Sequence, residues 1–458
     1  MHRNTHIVGA ITSCIDGNYD GYPQRFPPSD VNELDAILFK KVVKGEGQWA
    51  MQKDILGFEF DGTPGTHTIW LEETKRNKLL TILQGWLRGS RDGNHGIRFE
   101  EFESVAQKIR HAFTEIPAGK GLLSPLNAVV AAKPRFVFLH RNRDLFEAVS
   151  ECRILLRESI AAPTRCKELV SEWPDFVGIV DASGQGVGGI IVGERADCVP
   201  TMIWMEWPDD VKKDIKSESN PEGRITNSDL EMAGLLLLWL VMEEVCGPMA
   251  EKHAALFSDN SPTVHWVRRM ASRHSRVAAR LIRALALRLK LSKASPLTPL
   301  HIAGSQNAIT DIPSRSFGSK PKWHCESDGD LLTLFNSKFP LPEQNSWTVF
   351  RPTNALCMRV ISVLRMQDFG LDGWRRLPQA GKHTSPIGVP MSGLWEWTLG
   401  YRTLHTGLGP VASRDLPPEF GQVTSVEEGK LQLRRLQGRS RPLARRSRWP
   451  MRSTPRRG

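Results

Sequence analysis

The run Phe176-Val-Gly-Ile-Val180 is apolar throughout, closes on Asp181, and leads into the glycine-rich stretch Gly184-Gln-Gly-Val-Gly-Gly189. A short apolar run bounded by turn formers reads as a buried strand. A carboxylate at the end of such a strand loses hydration worth roughly several kcal/mol unless a positive partner meets it. A lysine, a helix N-terminus or a metal ion would each serve, and the rest of the chain has to deliver it.

Strand-like segments recur at residues 187–192, 199–206, 253–257 and 297–302. An apolar helix runs from Ser228-Asp-Leu-Glu231 to about residue 245. Segments 262–270 and 277–291 read as helical, and a short helix near 311–316 closes the region. The glycine stretch matches Gly-x-Gly-x-x-Gly, but that fingerprint must open a helix whose N-terminus holds a pyrophosphate. Here it enters another strand-like run, so the expectation is a hairpin turn with no phosphate to hold.

Upstream, segments 55–60 and 66–71 flank Asp61-Gly-Thr-Pro-Gly65 and read as two strands joined by a loop. Helices follow. One carries Leu79, Leu80, Leu83 and Trp86; the next places Phe102, Val105, Ala106, Ile109, Ala112, Phe113 and Ile116 on one face at 3.6-residue spacing; a third spans about 145–156. These stripes read as core. Residues 1–50 are poorly defined, with turn formers and one helical pattern near 31–43. After Phe317, helices are expected at 331–339 and 356–366 in a small extension over 320–404, then a disordered Arg-rich tail over 405–458.

The net charge of +11 belongs to that tail: residues 430–458 hold ten Arg, one Lys and no acid, which leaves 50 basic against 50 acidic residues elsewhere. Such a tail reads as a solvated end or as a nucleic-acid contact, for which Arg434, Arg435, Arg445 and Arg446 are the candidates. The seven cysteines are odd in number and never spaced Cys-x-x-Cys, which argues against a disulfide framework and suits a reducing compartment. There is no charged-then-apolar N-terminal pattern, and the dense apolar run at 235–241 is far short of the ~20 residues of a membrane span. A soluble, intracellular protein of cytoplasm or nucleus is expected, with no membrane partner.

Three acids fall where an α/β fold would bring them together: Asp181 at a strand end, Glu231 in the first turn of a helix, and Asp259 at the end of a later strand. A fourth, Asp311, begins the last short helix ten residues after His301. Four carboxylates share a site only if cations neutralise them, and an all-oxygen set suits Mg²⁺, with Mn²⁺ as the alternative. Two ions about 3.5–4 Å apart serve in-line phosphoryl displacement. Plainer readings stand beside this one. Glu231 could close a capping box with Ser228, Asp259 could cap a helix or turn, Asp311 could face a helix dipole, and His301 could be structural.

In order and in wording these segments resemble a known family. Val180-Asp-Ala-Ser183 with its glycine turn, Ser228-Asp-Leu-Glu-Met-Ala233, Phe257-Ser-Asp-Asn260 and His301-Ile-Ala-Gly-Ser-Gln-Asn-Ala-Ile-Thr-Asp-Ile-Pro-Ser-Arg315 are similar to the ribonuclease H domain of retroelement reverse transcriptases of DIRS and gypsy type. Residues 51–170 more weakly resemble the end of a polymerase palm with thumb and connection. The Tyr-x-Asp-Asp signature of the polymerase site is absent, and Ala303 and Thr310 replace residues usual in the last motif.

The resemblance implies an α/β fold, with a ribonuclease H-like mixed five-stranded sheet flanked by helices over 171–319, behind a hairpin-plus-helices module. It implies two Mg²⁺ ions, with Asp181 bridging both, Asp311 helping to hold the ion that activates water, and Glu231 and Asp259 holding the ion beside the leaving oxygen. His301 would assist proton transfer or product departure. The substrate would be the RNA strand of an RNA/DNA hybrid read through its 2′-hydroxyls, with Asn260 as a contact. The chain would be a polyprotein fragment whose missing palm is supplied in trans. The competing expectation is a catalytically silent nucleic-acid-binding relic; a related-fold transposase or junction nuclease is a third.

Overall fold

A computed structural model describes residues 50–367 apart from 66, 94–95, 170–173, 194–198, 273, 318–324 and 342–345. The N-terminal 49 residues, Arg434, Arg435, Arg445, Arg446 and the rest of the Arg-rich tail lie outside the described residues.

The first layer is a small antiparallel sheet of β1 (Gln52–Ile55), β2 (Phe58–Asp61) and β3 (Thr68–Leu71), later joined at β3 by β6 (Thr164–Arg165). The expected single strand at 55–60 is two strands. Leu56 and Gly57 take φ of 54° and 82°, the pair of left-handed residues that a two-residue hairpin turn requires, and this turn splits the run. Four helices follow: α1 (Glu73–Arg91), α2 (Phe99–Ala112), α3 (Ser124–Ala132) and α4 (Arg143–Ala161). A two-strand ribbon of β4 (Ile97–Arg98) and β5 (Phe136–Val137) ties α2 to the segment before α4. The apolar stripe of α2 is buried as its spacing requires, with Phe102 and Ile109 fully enclosed.

The second layer is a six-stranded mixed sheet, ordered β11-β10-β7-β8-β9-β12. Its strands are β7 (Phe176–Ala182), β8 (Gly186–Gly193), β9 (Thr201–Glu206), β10 (Ala254–Ser258), β11 (Thr298–His301) and β12 (Thr348–Phe350). β7, β8 and β9 form an antiparallel meander; β10 and β11 add in parallel on one edge and β12 in parallel on the other. Five strands were expected. The sixth, β12, has three residues and lies on an edge, too short for an alternating pattern to show in the sequence.

Helices of this layer are the short α5 (Asp209–Lys213), α6 (Asn227–Val245), α7 (Ser261–Arg269), α8 (Arg276–Leu291), α9 (Ala308–Arg315), α10 (Asp328–Lys338) and α11 (Asn354–Leu364). In α6 every residue from Asp229 to Met242 is buried. That fits its place, because α6 lies on β7 and β8 and is covered on its other side by α8 and α11, so it has no solvent face to keep polar. No helix among the described residues is long and apolar enough to cross a membrane.

α8 belongs to both layers. Ala286 and Leu287 enter the core built by α1 to α4, while Leu281, Ile282 and Leu285 enter the core under the six-stranded sheet. Along the joint, Asp144 pairs with Arg276 and Arg280, and Arg283 pairs with Glu147 and with both oxygens of Glu151 at 2.8 Å. Arg283 is buried at 4% exposure, so removing Glu151 leaves its charge with Glu147 alone. Glu151→Ala should lower unfolding stability by about 1–3 kcal/mol, read as a drop in thermal midpoint, and the paired apolar replacement Arg283→Met with Glu151→Leu should recover most of it.

Candidate metal centre

β7 places Asp181 at its last residue but one, and the hairpin that follows fixes which way the side chain leaves the sheet. Ser183 closes the turn: its N–H donates to the Gly186 carbonyl at 2.9 Å, and its hydroxyl accepts from the Gln185 and Gly186 amides. The glycine stretch does make a hairpin, as expected, but only Gly184 lies in the turn; Gly186, Gly188 and Gly189 are inside β8.

The reason for glycine there is close approach. Successive strand residues face opposite sides: Val187 touches α6 at Gly234, and Gly188, directly opposite Asp181, faces α9. A Cβ on Gly188 would sit 2.4 Å from the Ser314 amide nitrogen and 2.6 Å from Pro313. Gly188→Ala should therefore push α9 off the sheet, costing about 1–3 kcal/mol as overpacking does and separating Ser314 from Asp181. Loss of protection of the α9 amides in hydrogen exchange, with β7 and β10 still protected, is the expected readout.

Glu231 comes from the second turn of α6, not the first as expected, because the helix already starts at Asn227 and its first-turn acid is Asp229. The capping box at this helix is made by Thr226 and Asp229, whose side chains bond each other's backbone amides, so the capping role considered for Glu231 with Ser228 is taken elsewhere. Glu231 is free to point at β7 and β10: its carboxylate accepts from the Ser258 hydroxyl at 3.4 Å and from the Ala182 backbone amide. Asp259 is likewise not a cap. The N-cap of α7 is Asn260, whose side-chain oxygen accepts from the Thr263 amide at 3.0 Å.

The result is a cluster at one end of the sheet. One carboxylate oxygen from each of Asp181, Glu231 and Asp259 lies within 4.8 Å of the others. Asp181 and Glu231 are buried at 2% exposure, and Asp259 is half-buried. Burial pushes the Glu231 carboxyl up to about 9, and the neighbouring Asp181 and Asp259 push the same way. Burial also pushes Asp181 up to about 6, opposed by the Ser314 hydroxyl that donates to it and reinforced by Asp259 and Asp311.

Asp311 stands at the margin of this trio. It acts on Asp181 and Asp259 through space, but its nearest ionic partner is Arg315, one helical turn on, at 2.8 Å. Burial raises its pKa and Arg315 opposes the rise. The same guanidinium approaches Asp181 at 4.0 Å. His301 is exposed at the end of β11, and its Nε2–H donates to the Asp259 carbonyl at 3.1 Å. Asn307, fully buried, anchors the loop between His301 and Asp311 beneath β7, where its amide nitrogen lies 3.5 Å from the Val180 carbonyl. Ser258, Ser314 and Arg315 were not singled out from the sequence. Each adjoins a motif acid in sequence or by one helical turn, and that adjacency is the signal that could have found them.

The donor set fits a hard divalent cation. It contains carboxylate oxygens with no sulfur or ring nitrogen in the trio. Two of its members are held in a setting that disfavours their charge unless a cation is added.

No protein-family model and no curated protein matches the chain. Among solved structures, it is similar to the foamy viral protease-reverse transcriptase dRH in complex with ds DNA (12% identity over 55% of this chain and 38% of that one, TM-score 0.20). It is also similar to the foamy viral protease-reverse transcriptase in complex with dsDNA (11% identity, 63% and 59%, TM-score 0.20) and with RNA/DNA hybrid (12% identity, 59% and 32%, TM-score 0.19). The chain thus spans less than two thirds of each of these proteins, and similarity at this level carries no argument about chemistry.

Proposed function

We propose that the chain is a ribonuclease H-type nuclease of retroelement descent that hydrolyses the RNA strand of RNA/DNA hybrids with Mg²⁺ at the carboxylate cluster. The observation that supports this most is the convergence of Asp181, Glu231 and Asp259 to within 4.8 Å, with both competing capping roles filled by other residues. Bound Mg²⁺ would supply charge stabilisation at phosphorus and lower the pKa of a bound water.

This chain's own residues do the rest. Asp181, Glu231 and Asp259 hold the cation charge at the sheet end, and Asp311 adds a fourth carboxylate once Arg315 releases it. Ser314 orients Asp181 and Ser258 orients Glu231 by hydrogen bonds. His301 spends its Nε2–H on the Asp259 carbonyl, so in the neutral ring Nδ1 is the basic atom, available to take or return a proton at the reacting oxygens. Hydrolysis forms one P–O bond from water and breaks one to the leaving oxygen, which takes up a proton.

The silent-relic reading has one contact in its favour: Arg315 already neutralises part of the cluster without a metal. The two readings part on one assay. Full-length protein with Mg²⁺ at about 0.15 M ionic strength should cut end-labelled RNA in a hybrid and leave single-stranded RNA and duplex DNA intact. Absence of cutting on all three substrates would leave the relic.

A further inference from the structure

A cavity of about 180 Å³ lies away from the carboxylates, where the 3₁₀ turn Pro117–Leu122 meets the end of α7 and the approach to β11. Leu297 in its wall precedes His301 by four residues of extended chain, roughly 13 Å at about 3.3 Å per residue. Neither the nuclease reading nor its residues account for it.

The cavity has three zones. Its walls are apolar, with Ile116, Val267 and Leu297 among them. Its floor is polar but self-satisfied: the buried Lys290 ammonium donates to the Thr164 hydroxyl at 2.8 Å and pairs with Glu168 at 3.4 Å. Its rim is cationic, with Lys120, Arg268 and Arg269 all exposed. Arg268 donates to the Pro299 carbonyl at 3.2 Å, while Lys120 and Arg269 have no partner among the described residues.

Size and polarity narrow the occupant. A cavity of about 150 Å³ holds a benzene ring, whereas pockets for whole drug-sized molecules run to about 300–1,000 Å³. The space therefore suits one ring or one branched aliphatic group. A nucleobase would bury its polar edge against mainly apolar walls, over a floor whose Lys290, Glu168 and Ser295 side chains already have partners, at about 1–3 kcal/mol per unpaired group. An apolar side chain makes no such demand. The rim then calls for negative charge on either side of that side chain, where three cations meet it in water.

We propose that this cavity is a docking site for an acidic peptide segment of a partner protein, which inserts one Phe- or Leu-sized side chain and sets flanking Asp or Glu residues against Lys120, Arg268 and Arg269. A single anchor in a concave pocket with a charged surround matches the way a few buried residues carry most of the binding energy at interfaces.

The test uses full-length protein and a fluorescein-labelled peptide, Glu-Asp-Phe-Asp-Glu-Asp, in fluorescence polarisation at about 0.1 M salt. Saturable binding is expected. Replacing the peptide's Phe by Ala should weaken it by about tenfold or more, and the double variant Lys120→Glu, Arg269→Glu should do the same. Both positions are exposed, so the thermal midpoint should not move. Hybrid cleavage should be unchanged as well.

The proposal is overturned if no saturation appears below about 1 mM, if the Ala peptide binds as well as the Phe peptide, or if the double variant binds as well as the parent. It is also overturned if a six-nucleotide single strand displaces the peptide more tightly than unlabelled peptide does, with the same dependence on Lys120 and Arg269. The rim would then be a nucleic-acid contact.

Discussion

Asp259→Asn should reduce Mg²⁺-dependent cutting of hybrid RNA by roughly a thousandfold or more, because removing one carboxylate from the trio forfeits several kcal/mol of charge stabilisation at the reacting phosphate. The substitution is nearly isosteric, and it removes a negative charge that works against both Asp181 and Glu231. The metal-free variant should therefore melt no lower than the parent. That combination separates chemistry from folding: activity lost with stability kept identifies Asp259 as part of the reacting site, and a variant that still cuts within about tenfold of the parent excludes it. His301→Ala should sit between the two, losing about 10²-fold as a displaced proton carrier does, with Mg²⁺ affinity unchanged by calorimetry because the His301 ring lies outside the carboxylate trio.

Without divalent cation, the protein should lose stability as pH rises above about 4.5, and Glu231→Gln should remove the share of that loss that continues up to about pH 9. The Glu231 carboxyl is at about 9 in the fold against 4.5 for the ordinary group. The native state thus keeps a proton that the unfolded chain gives up. Its contribution is complete below about 4.5 and disappears as pH climbs through about 9, with a slope approaching 1.4 kcal/mol per pH unit. Asp181 adds the same sign of dependence from 3.8 to about 6. Glu115, fully buried in the turn after α2 and raised to about 7 mainly by burial, adds it from 4.5 upward. The parent and Glu231→Gln curves should coincide below about pH 4.5 and separate from there to about pH 9, and above about 7 only Glu231 of these three still titrates, so between pH 7 and 9 the parent should keep falling where the variant levels off. Saturating Mg²⁺ should flatten the parent curve in that upper window, since a cation favours the ionised carboxylates. Parallel curves between pH 7 and 9 would remove Glu231 from the buried cluster.

The two predictions depend on features that were visible to different degrees in the sequence. Helix α2 was readable because its apolar residues repeat every 3.6 positions and its opposite face is charged. The strands β7 to β11 were readable as short apolar runs between turn formers. β12 and the split of β1 from β2 were not: a three-residue edge strand has no period, and Leu56 gives no hint of a left-handed φ until the turn is seen. The glycines of 184–189 were readable as a hairpin signal, but the demand that fixes Gly188 comes from α9, over a hundred residues away in sequence.

The same division runs through the site. By itself the sequence determined the acids, their order on strand, helix and strand, and the need for a positive partner at the end of β7, because desolvation of a carboxylate is a local cost that any buried strand end imposes. Only the tertiary structure decided which of the plainer roles were filled. Thr226 with Asp229 took the capping box, Asn260 took the cap of α7, and so Glu231 and Asp259 were left to face Asp181. Only the structure set Asp311 apart, held by Arg315 at the margin of the other three. A capping residue and a ligand look alike in one dimension, since both are acids at a helix start. What separates them is which hydrogen bonds their oxygens already make, and that depends on neighbours that the fold, rather than the chain, brings near.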